Sequence, residues 1–359
     1  VFVNYGGWDS IPPPYYFIEK VIMKKAILVG IGGFANAWIP VVTDSQEIEF
    51  AGFVEIDPQT IQQQVKRYGF KQDLIFTTLE VALAAVEADG VINITPPAVH
   101  KSISLTALDA GVPVLSEKPL ADSMASAHEI VQKSTQTGIL HMVAQDYRYK
   151  APIQTVKKLL DSGELGQATS VRADFYKSLH VKGSYLDELP YPLLMDMSIH
   201  HFDLMRFFLE SNLSSVCAYS WKPAWNWFKG ESAVSSILKF ENKIIVTYNA
   251  NWCGTGQETT WDGNWRFDCE NGVILLIDEK VFVHRKLDKL EDMGGYSQYA
   301  NEELVEVPLL KPERVGREQV LHEFYKAIST GREPATSCQD NIKSLEIVFR
   351  VIEAAKSWK

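Results

Sequence analysis

Cysteine is scarce in this chain. Cys217, Cys253, Cys269 and Cys338 are scattered through 359 residues and form no C-x-x-C pair, so there is no signature of a zinc site or of thiol redox chemistry. A chain of this length does not need disulfides, and reduced thiols in a cytoplasm are the expectation. Positive charge is short as well: 35 Lys and Arg stand against 45 Asp and Glu, a net charge of −10. That field opposes nucleic acid and anionic membrane surfaces. Internal repeats and low-complexity tracts are missing. Long apolar runs are missing too. Ala26–Thr43 is uncharged for 18 residues, the lower edge of a spanning helix, but Gly30, Gly32, Gly33, Asn36 and Pro40 fit strand, tight turn and helix better. A soluble protein is expected. The first 22 residues lack a basic start, a long apolar core and a small-residue cleavage site, so they do not read as a signal peptide. Pro12, Pro13 and Pro14 break regular structure there, and Met23 directly precedes a strand-like run. Residues 1–23 are set apart as an N-terminal extension: Met23 is expected to be the start, with the residues before it either an upstream or vector-derived extension or a native arm.

What is present is alternation. KKAILVGI, IEFAGFVEID, DGVINIT, VPVLSE and ILHMVAQ are short apolar runs, separated by helix-like stretches such as Pro58–Tyr68, HKSISLTALDAG and SMASAHEIVQKSTQTG. Strands alternating with helices of this length imply βαβ units around a doubly wound parallel sheet covered on both faces. At roughly 150 residues per domain the chain has room for a second unit. After Gly166 the pattern changes to β-rich runs, ATSVRADFYK, SVCAYSW, AVSSILKFEN, KIIVTYNANW, NWRFDCENG and VILLID, as in a largely antiparallel sheet. Two amphipathic stretches, REQVLHEFYKAISTGREP and DNIKSLEIVFRVIEAAKSW, close the chain.

The first apolar run ends in Gly30-Ile31-Gly32-Gly33-Phe34-Ala35, a match to G-x-G-x-x-A. The first glycine permits a tight turn, the second lets backbone approach a pyrophosphate, and Ala35 allows close helix–strand packing. Glu55 follows Gly30 by 25 residues and ends the second run, near the spacing of a carboxylate that accepts from ribose hydroxyls. Glu55 would repel a 2′-phosphate and Ile56 offers no cation, so NAD is expected over NADP. The plainer alternative is that Glu55 and Asp57 only cap the next helix, which Asp57-Pro58 is suited to do.

Further motifs follow in order: Thr95-Pro96-Pro97 with His100, Ser116-Glu117-Lys118-Pro119, Tyr147-Arg148-Tyr149, the run Leu159-Leu160-Asp161-Ser162-Gly163-Glu164-Leu165-Gly166, and Asp196-x-x-x-His200-x-x-Asp203. In sequence and spacing these resemble the Gfo/Idh/MocA oxidoreductases, a family that includes inositol dehydrogenase and glucose–fructose oxidoreductase. The resemblance runs from Lys24 through nearly the whole chain. It implies an N-terminal Rossmann domain over 24–146 and a C-terminal α+β domain over 147–359 with a large, mostly antiparallel open sheet. It also implies a cofactor site along Gly30, Gly32, Gly33, Phe34, Ala35, Glu55, Thr95, Pro96, His100, Glu117 and Lys118. By the same resemblance Lys118 lies beside the nicotinamide and the reacting hydroxyl, and the Lys118–Pro119 bond is expected to be cis. A lysine at the C-terminal end of a strand in such a sheet faces the ligand crevice, where it can stabilise a developing alkoxide.

LLMDMSIHHFDLMRFFL reads as a helix. Steps of four and three residues put Asp196, His200 and Asp203 on one face and turn His201 away. The resemblance makes His200 the base that removes the hydroxyl proton and sets Asp196 beside it to orient the ring. Asp203 is better read as a partner for backbone or an arginine. A metal reading fails on pattern: H-E-x-x-H is absent and no third ligand is evident. Family members often carry glycines before the aspartate and two residues after it. Here Glu188-Leu189-Pro190-Tyr191-Pro192 and Ser198 stand instead, so a differently shaped substrate-side loop is expected.

Six of the nine tryptophans lie between Trp221 and Trp265, where they mark either a sugar-stacking surface or, more in keeping with aromatic usage, core and subunit interface. The function expected is NAD-dependent hydride transfer at a secondary alcohol of a sugar, sugar derivative or cyclitol. Two alternatives share the fold: an NAD-dependent glycosidase working by transient oxidation, and a ligand-sensing regulator without catalysis. A pure sensor has no need for Lys118, Asp196 and His200 together. A homo-oligomer, dimer or tetramer, is implied by the resemblance.

Overall fold

The computed structural model describes residues 22–180, 182–292 and 297–357. The extension expected ahead of Met23 lies, except for Ile22, outside the described residues. Six runs form a parallel sheet: β1 Lys24–Val29, β2 Ile48–Val54, β3 Ile75–Phe76, β4 Gly90–Asn93, β5 Val114–Ser116 and β6 His141–Val143. Their spatial order is β3-β2-β1-β4-β5-β6, so the winding reverses between β1 and β4 and opens a ligand crevice at the strands' C-terminal ends. Helices α1 Ile39–Thr43, α2 Pro58–Tyr68, α3 Leu79–Ala85, α4 Pro97–Asp109 and α5 Met124–Thr137 connect them. Asp57 caps α2 by accepting from the Gln59 and Thr60 N–H groups, and Gly69 closes it at φ +70°.

The stretch after the glycine turn departs from a continuous helix. It makes a 3-10 turn over Gly33–Ala37 and only then the short α1. Pro40 has no N–H to give the Asn36 carbonyl, so the helical ladder cannot run through it. Ala26–Thr43 is thus strand, turn and short helix, and among the described residues no helix is long and apolar enough to cross a membrane.

The second unit starts with α6 Ala151–Ser162 and β7 Ala168–Tyr176 and continues through α7 Ile199–Leu209. Then come β8 Leu213–Trp221, β9 Ala233–Phe240, β10 Ile245–Asn251, β11 Asn264–Cys269, β12 Gly272–Ile277, β13 Lys280–Asp292, β14 Ser297–Asn301 and β15 Val305–Val307, and finally α8 Gly316–Thr330 and α9 Cys338–Lys356. The strands make one sheet in the order β14-β13-β12-β11-β7-β10-β9-β8, with β15 on β13. Pairing is antiparallel except between β7 and β10. One face packs on α7 and α9. The other is open, exposing Tyr219 and Ile237 in alternation with buried Val234 and Leu238. Strand β13 escapes sequence reading because charge interrupts its alternation, as in Lys286-Leu287-Asp288-Lys289, and β14 and β15, at five and three residues, are too short to carry a period.

The division at residue 146 needs correction at the C-terminal end. Helix α8 does not pack on the second sheet: Val320, Leu321 and Phe324 are buried with Leu28, Ile92 and Leu115 of the first. A Cβ on Gly90 would come within 2.9 Å of the Phe324 ring, so the bare glycine admits the helix. The Val143 N–H also donates to the Thr336 carbonyl at 2.9 Å. An amphipathic pattern announces a buried face but not the sheet that buries it.

One buried ion pair ties the units together. Arg148, just after β6, donates from Nε and Nη2 to both oxygens of Asp203 on α7, at 2.6 and 2.7 Å. Asp203 also accepts from Ser344 and Asn341 on α9. Breaking such a pair strands a buried charge, at a cost of about 3–5 kcal/mol. Asp203→Ala should lower unfolding free energy by that order, measured by urea titration at neutral pH.

Candidate active site

Gly30 sits at φ +86°, and a Cβ there would press on Thr95 at 3.1 Å. Only glycine turns the chain there without strain. At Gly32 and Gly33 a Cβ would meet nothing within 4 Å, so these two leave open space above the turn that packing does not require. The N–H groups of Gly32, Gly33 and Phe34 find no acceptor among the described residues. Open space lined by unpaired N–H groups fits a dinucleotide pyrophosphate. Ala35 is buried and Phe34 is half exposed at the rim. Glu55 accepts from the Ile31, Ile56 and Asp57 N–H groups at 3.1, 2.8 and 3.1 Å. It therefore shapes the turn as well as presenting a carboxylate at the end of β2, while the helix cap falls to Asp57 alone.

Thr95 donates to Asn93 at 2.7 Å, and Pro96 is exposed ahead of α4. His100 corrects one expectation. It is fully enclosed, with Nδ1 on the Pro119 carbonyl and Nε2 on the Thr95 carbonyl, each at 2.8 Å. It cannot touch a ligand there. Burial holds its pKa below the usual histidine value, so a neutral ring donates to one carbonyl at a time and holds the loops after β4 and β5 together.

Beyond β5 the chain runs Glu117-Lys118-Pro119, with the expected cis bond between Lys118 and Pro119. Glu117 is buried, accepting from Trp38 Nε1 at 2.8 Å and from the Lys118 N–H at 3.0 Å. Burial raises its pKa. Lys118 Nζ donates to Oδ1 and to the backbone carbonyl of Asp196, at 2.9 and 3.0 Å. An ammonium has three N–H donors, so one remains for another acceptor.

Asp196 does not orient His200: no hydrogen bond or ion pair joins them. The expectation assumed α-helical spacing, but Leu193–Ser198 is a π-helical turn before α7 begins. A π turn places more than four residues in each revolution, which moves Asp196 around the axis. The carboxylate meets Lys118 instead, with the exposed Tyr185 hydroxyl at 3.4 Å. Ser198, two residues after Asp196, is buried against the Tyr248 hydroxyl at 3.0 Å.

His200 lies flat on the Tyr147 ring, centroids 4.0 Å apart. Its Nδ1 is buried with no hydrogen-bond partner. Burial, then the nearby charge of Lys118, holds its pKa well below the usual histidine value. At neutral pH the ring is uncharged and carries a lone pair for a proton. His201 points away to Tyr248 and the Trp261 carbonyl, as its position on the helix requires.

Several participants are visible only in three dimensions. Lys150 Nζ stands 3.9 Å from the Tyr147 ring centroid and pairs with the buried Asp262, whose second oxygen is unpartnered. Arg317, from α8, reaches back to within 3.9 Å of Glu117 and 3.6 Å of Asp146. Lys150 follows the last parallel strand, where site residues gather, so its position was a usable signal. Nothing in sequence brings Asp262 or Arg317 to the same place. The described residues hold no group of three His, Cys, Asp or Glu side chains suited to a metal ion.

Comparison with known proteins agrees with this architecture. Residues 24–145 match the oxidoreductase family with NAD-binding Rossmann fold, and residues 153–275 match the GFO/IDH/MocA C-terminal domain. The chain belongs to the Gfo/Idh/MocA family. It is 26% identical to the uncharacterized protein y4oX of Sinorhizobium fredii, over 92% of this chain and 93% of the relative. It is also 26% identical to D-apiose dehydrogenase of Rhizobium rhizogenes, over 93% and 96%. Among solved structures, an Agrobacterium radiobacter oxidoreductase in complex with NAD+, L-tartaric acid and magnesium superposes with a TM-score of 0.81 at 22% identity, covering 94% of this chain and 97% of that one. The protein is thus an oxidoreductase with an NAD-binding Rossmann domain.

The charge of Lys150 also lowers the His200 pKa. A base works unprotonated, so removing a neighbouring cation raises its pKa and moves the acidic limb of activity to higher pH. Lys150→Met should shift the acidic limb of kcat/KM upward, read from a pH–rate profile; an unmoved limb separates Lys150 from the base.

Proposed function

We propose that this protein is an NAD-dependent dehydrogenase acting on a secondary alcohol of a sugar, sugar derivative or cyclitol. The observation that carries the reading is the meeting of Lys118, tied to Asp196 with one N–H to spare, and the uncharged His200 at the C-terminal end of the parallel sheet. A D-apiose dehydrogenase among the full-length relatives supports a sugar-like alcohol.

The nicotinamide, when bound, supplies the hydride acceptor. The chain's own residues do the rest. Lys118 donates its free N–H to the alcohol oxygen and stabilises the negative charge that grows there as the C–H bond breaks. His200 takes the hydroxyl proton. Stacking on Tyr147 holds the imidazole plane, and Asp196 holds the Lys118 ammonium on target. Asp196 is therefore a positioning residue. Gly30, Gly32, Gly33, Phe34 and Ala35 would hold the pyrophosphate, and Glu55 the adenosine ribose. Thr95, Pro96, Glu117 and Lys118 would line the nicotinamide half, with His100 supporting them from behind.

NAD over NADP rests on Glu55 and on exposed Ile56, which brings no cation to the end of β2. We assign the open sheet face, with Tyr219, Trp221 and Ile237 exposed, to self-association in a homo-oligomer. The four cysteines, all free, suit a reducing cytoplasm.

Purified protein given NAD and a panel of polyols, aldoses and inositols should accumulate NADH with at least one of them. Net NADH separates this reaction from glycoside cleavage, which returns the cofactor unchanged. Lys118→Ala and His200→Ala should each lower kcat by about 10²–10⁴-fold. Wild-type turnover in Lys118→Ala would refute the assignment. On the same substrate, kcat/KM with NAD should exceed that with NADP by at least about tenfold, the order expected of one unfavourable charge contact.

A further inference from the structure

We propose that Arg317 is a phosphate ligand for the dinucleotide, delivered to the Rossmann turn from the C-terminal helix α8. The proposal rests on the dinucleotide reading of that turn and adds a residue outside the nucleotide-binding sequence.

Arg317 is the second residue of α8, the helix that returns to pack on the first sheet. Its guanidinium carbon lies 5.2 Å from the ring centroid of Phe34, the residue whose unpaired N–H closes the glycine turn. The guanidinium approaches Glu117 Oε1 and Asp146 Oδ2 at 3.9 and 3.6 Å. Both separations are longer than a charge-assisted hydrogen bond, which closes at about 2.7–2.9 Å. Its Nε is buried with no hydrogen-bond partner. A planar cation with five N–H donors is thus held near two carboxylates without a close bond to either, beside a turn that itself presents unpaired donors.

A guanidinium fork fits phosphate oxygens in a bidentate way that an ammonium does not. A phosphate over the turn would supply the acceptors the guanidinium lacks. Position gives Arg317 a second effect. Glu117 and Asp146 flank the same crevice, and without a cation between them and the turn they would repel a dianionic dinucleotide. Arg317 offsets that repulsion on the nicotinamide side, since Glu117 precedes Lys118 directly. The two residues that frame it follow β5 and β6, whereas the adenosine side is set by Glu55 after β2.

Calorimetric titration tests this without catalysis. The probes are NADH, ADP-ribose and AMP, applied to wild type, Arg317→Gln and Arg317→Lys. Loss of a charge-assisted hydrogen-bonding pair should weaken NADH and ADP-ribose binding to Arg317→Gln by about tenfold to hundredfold. AMP ends before the nicotinamide half, and its affinity should change by less than about threefold. Arg317→Lys, which keeps the charge but loses the fork, should fall between wild type and Arg317→Gln. The thermal midpoint of the ligand-free variants should stay within a few degrees of wild type. Unchanged NADH and ADP-ribose affinity in Arg317→Gln would overturn the proposal while leaving the dinucleotide reading intact. Equal weakening of all three probes with a lowered midpoint would also overturn it, by showing that Arg317 only anchors α8. If wild type itself bound neither NADH nor ADP-ribose, the dinucleotide reading would fall and the proposal with it.

Discussion

The buried pair of Arg148 and Asp203 is the constraint on which the site depends. Arg148 leaves the Rossmann sheet just after β6, and Asp203 sits mid-way along the helix that carries His200. Asp203 further accepts from Ser344 on α9, and Arg148 donates to the Ala335 carbonyl at 3.2 Å. Three stretches of chain far apart in sequence therefore meet on one carboxylate. Burying these charges is costly, and the return is geometric: the guanidinium is held from all three nitrogens and the carboxylate at both oxygens, which specifies one relative placement of the two units. Tyr147 is the neighbour of Arg148 and His200 lies one turn before Asp203. The stack of Tyr147 on His200 is then a direct consequence of the ion pair one residue away.

The second constraint is the π-helical turn. Had Leu193–Ser198 been α-helical, Asp196 would stand one turn below His200 and share its proton. The wider turn gives Asp196 to Lys118 instead and leaves His200 among cations, without a carboxylate. The consequence is electrostatic. A paired imidazole would be held protonated into the neutral range, whereas burial beside Lys118 keeps this one uncharged. The Lys118 side chain is in turn held in place by the Asp196 carboxylate and carbonyl. The environments of the two groups are set apart by giving the carboxylate to one partner only.

Most of the fold was legible. The five main parallel strands announce themselves as short apolar runs between helices, and the glycine turn, Glu55 and Lys118 lie at strand ends where a doubly wound sheet gathers its ligands. What stayed hidden has physical causes. Ile75-Phe76 is too short to carry a period. Strand β13 includes Lys286-Leu287-Asp288-Lys289, whose charges suit an exposed sheet region and mask its alternation. His100 falls in a family motif yet is enclosed, because sequence does not tell a histidine that touches a ligand from one that bridges two loops. The π turn was invisible because a helix of either width buries Leu193, Leu194 and Met197 alike. Asp262 and Arg317 required the closed chain, since neither has a local pattern.

The tryptophan cluster shows how one compositional feature divides under packing. Trp252 and Trp265 are core residues, and Trp265 makes an edge contact with Phe208 of α7 at 5.3 Å. Trp221 belongs to the open face beside Tyr219. Trp261 stands between the two: its carbonyl accepts from His201, Lys177 lies 5.2 Å from its ring, and the next residue is Asp262, the partner of Lys150. Its backbone is thus fixed by α7 while its ring remains partly exposed. The loop carrying Trp261 and Asp262 links β11 to the wall of the site, so a displacement of that loop would move the Lys150 charge relative to Tyr147 and His200. The sheet is coupled to His200 through this loop, and the coupling requires no contact with the open face.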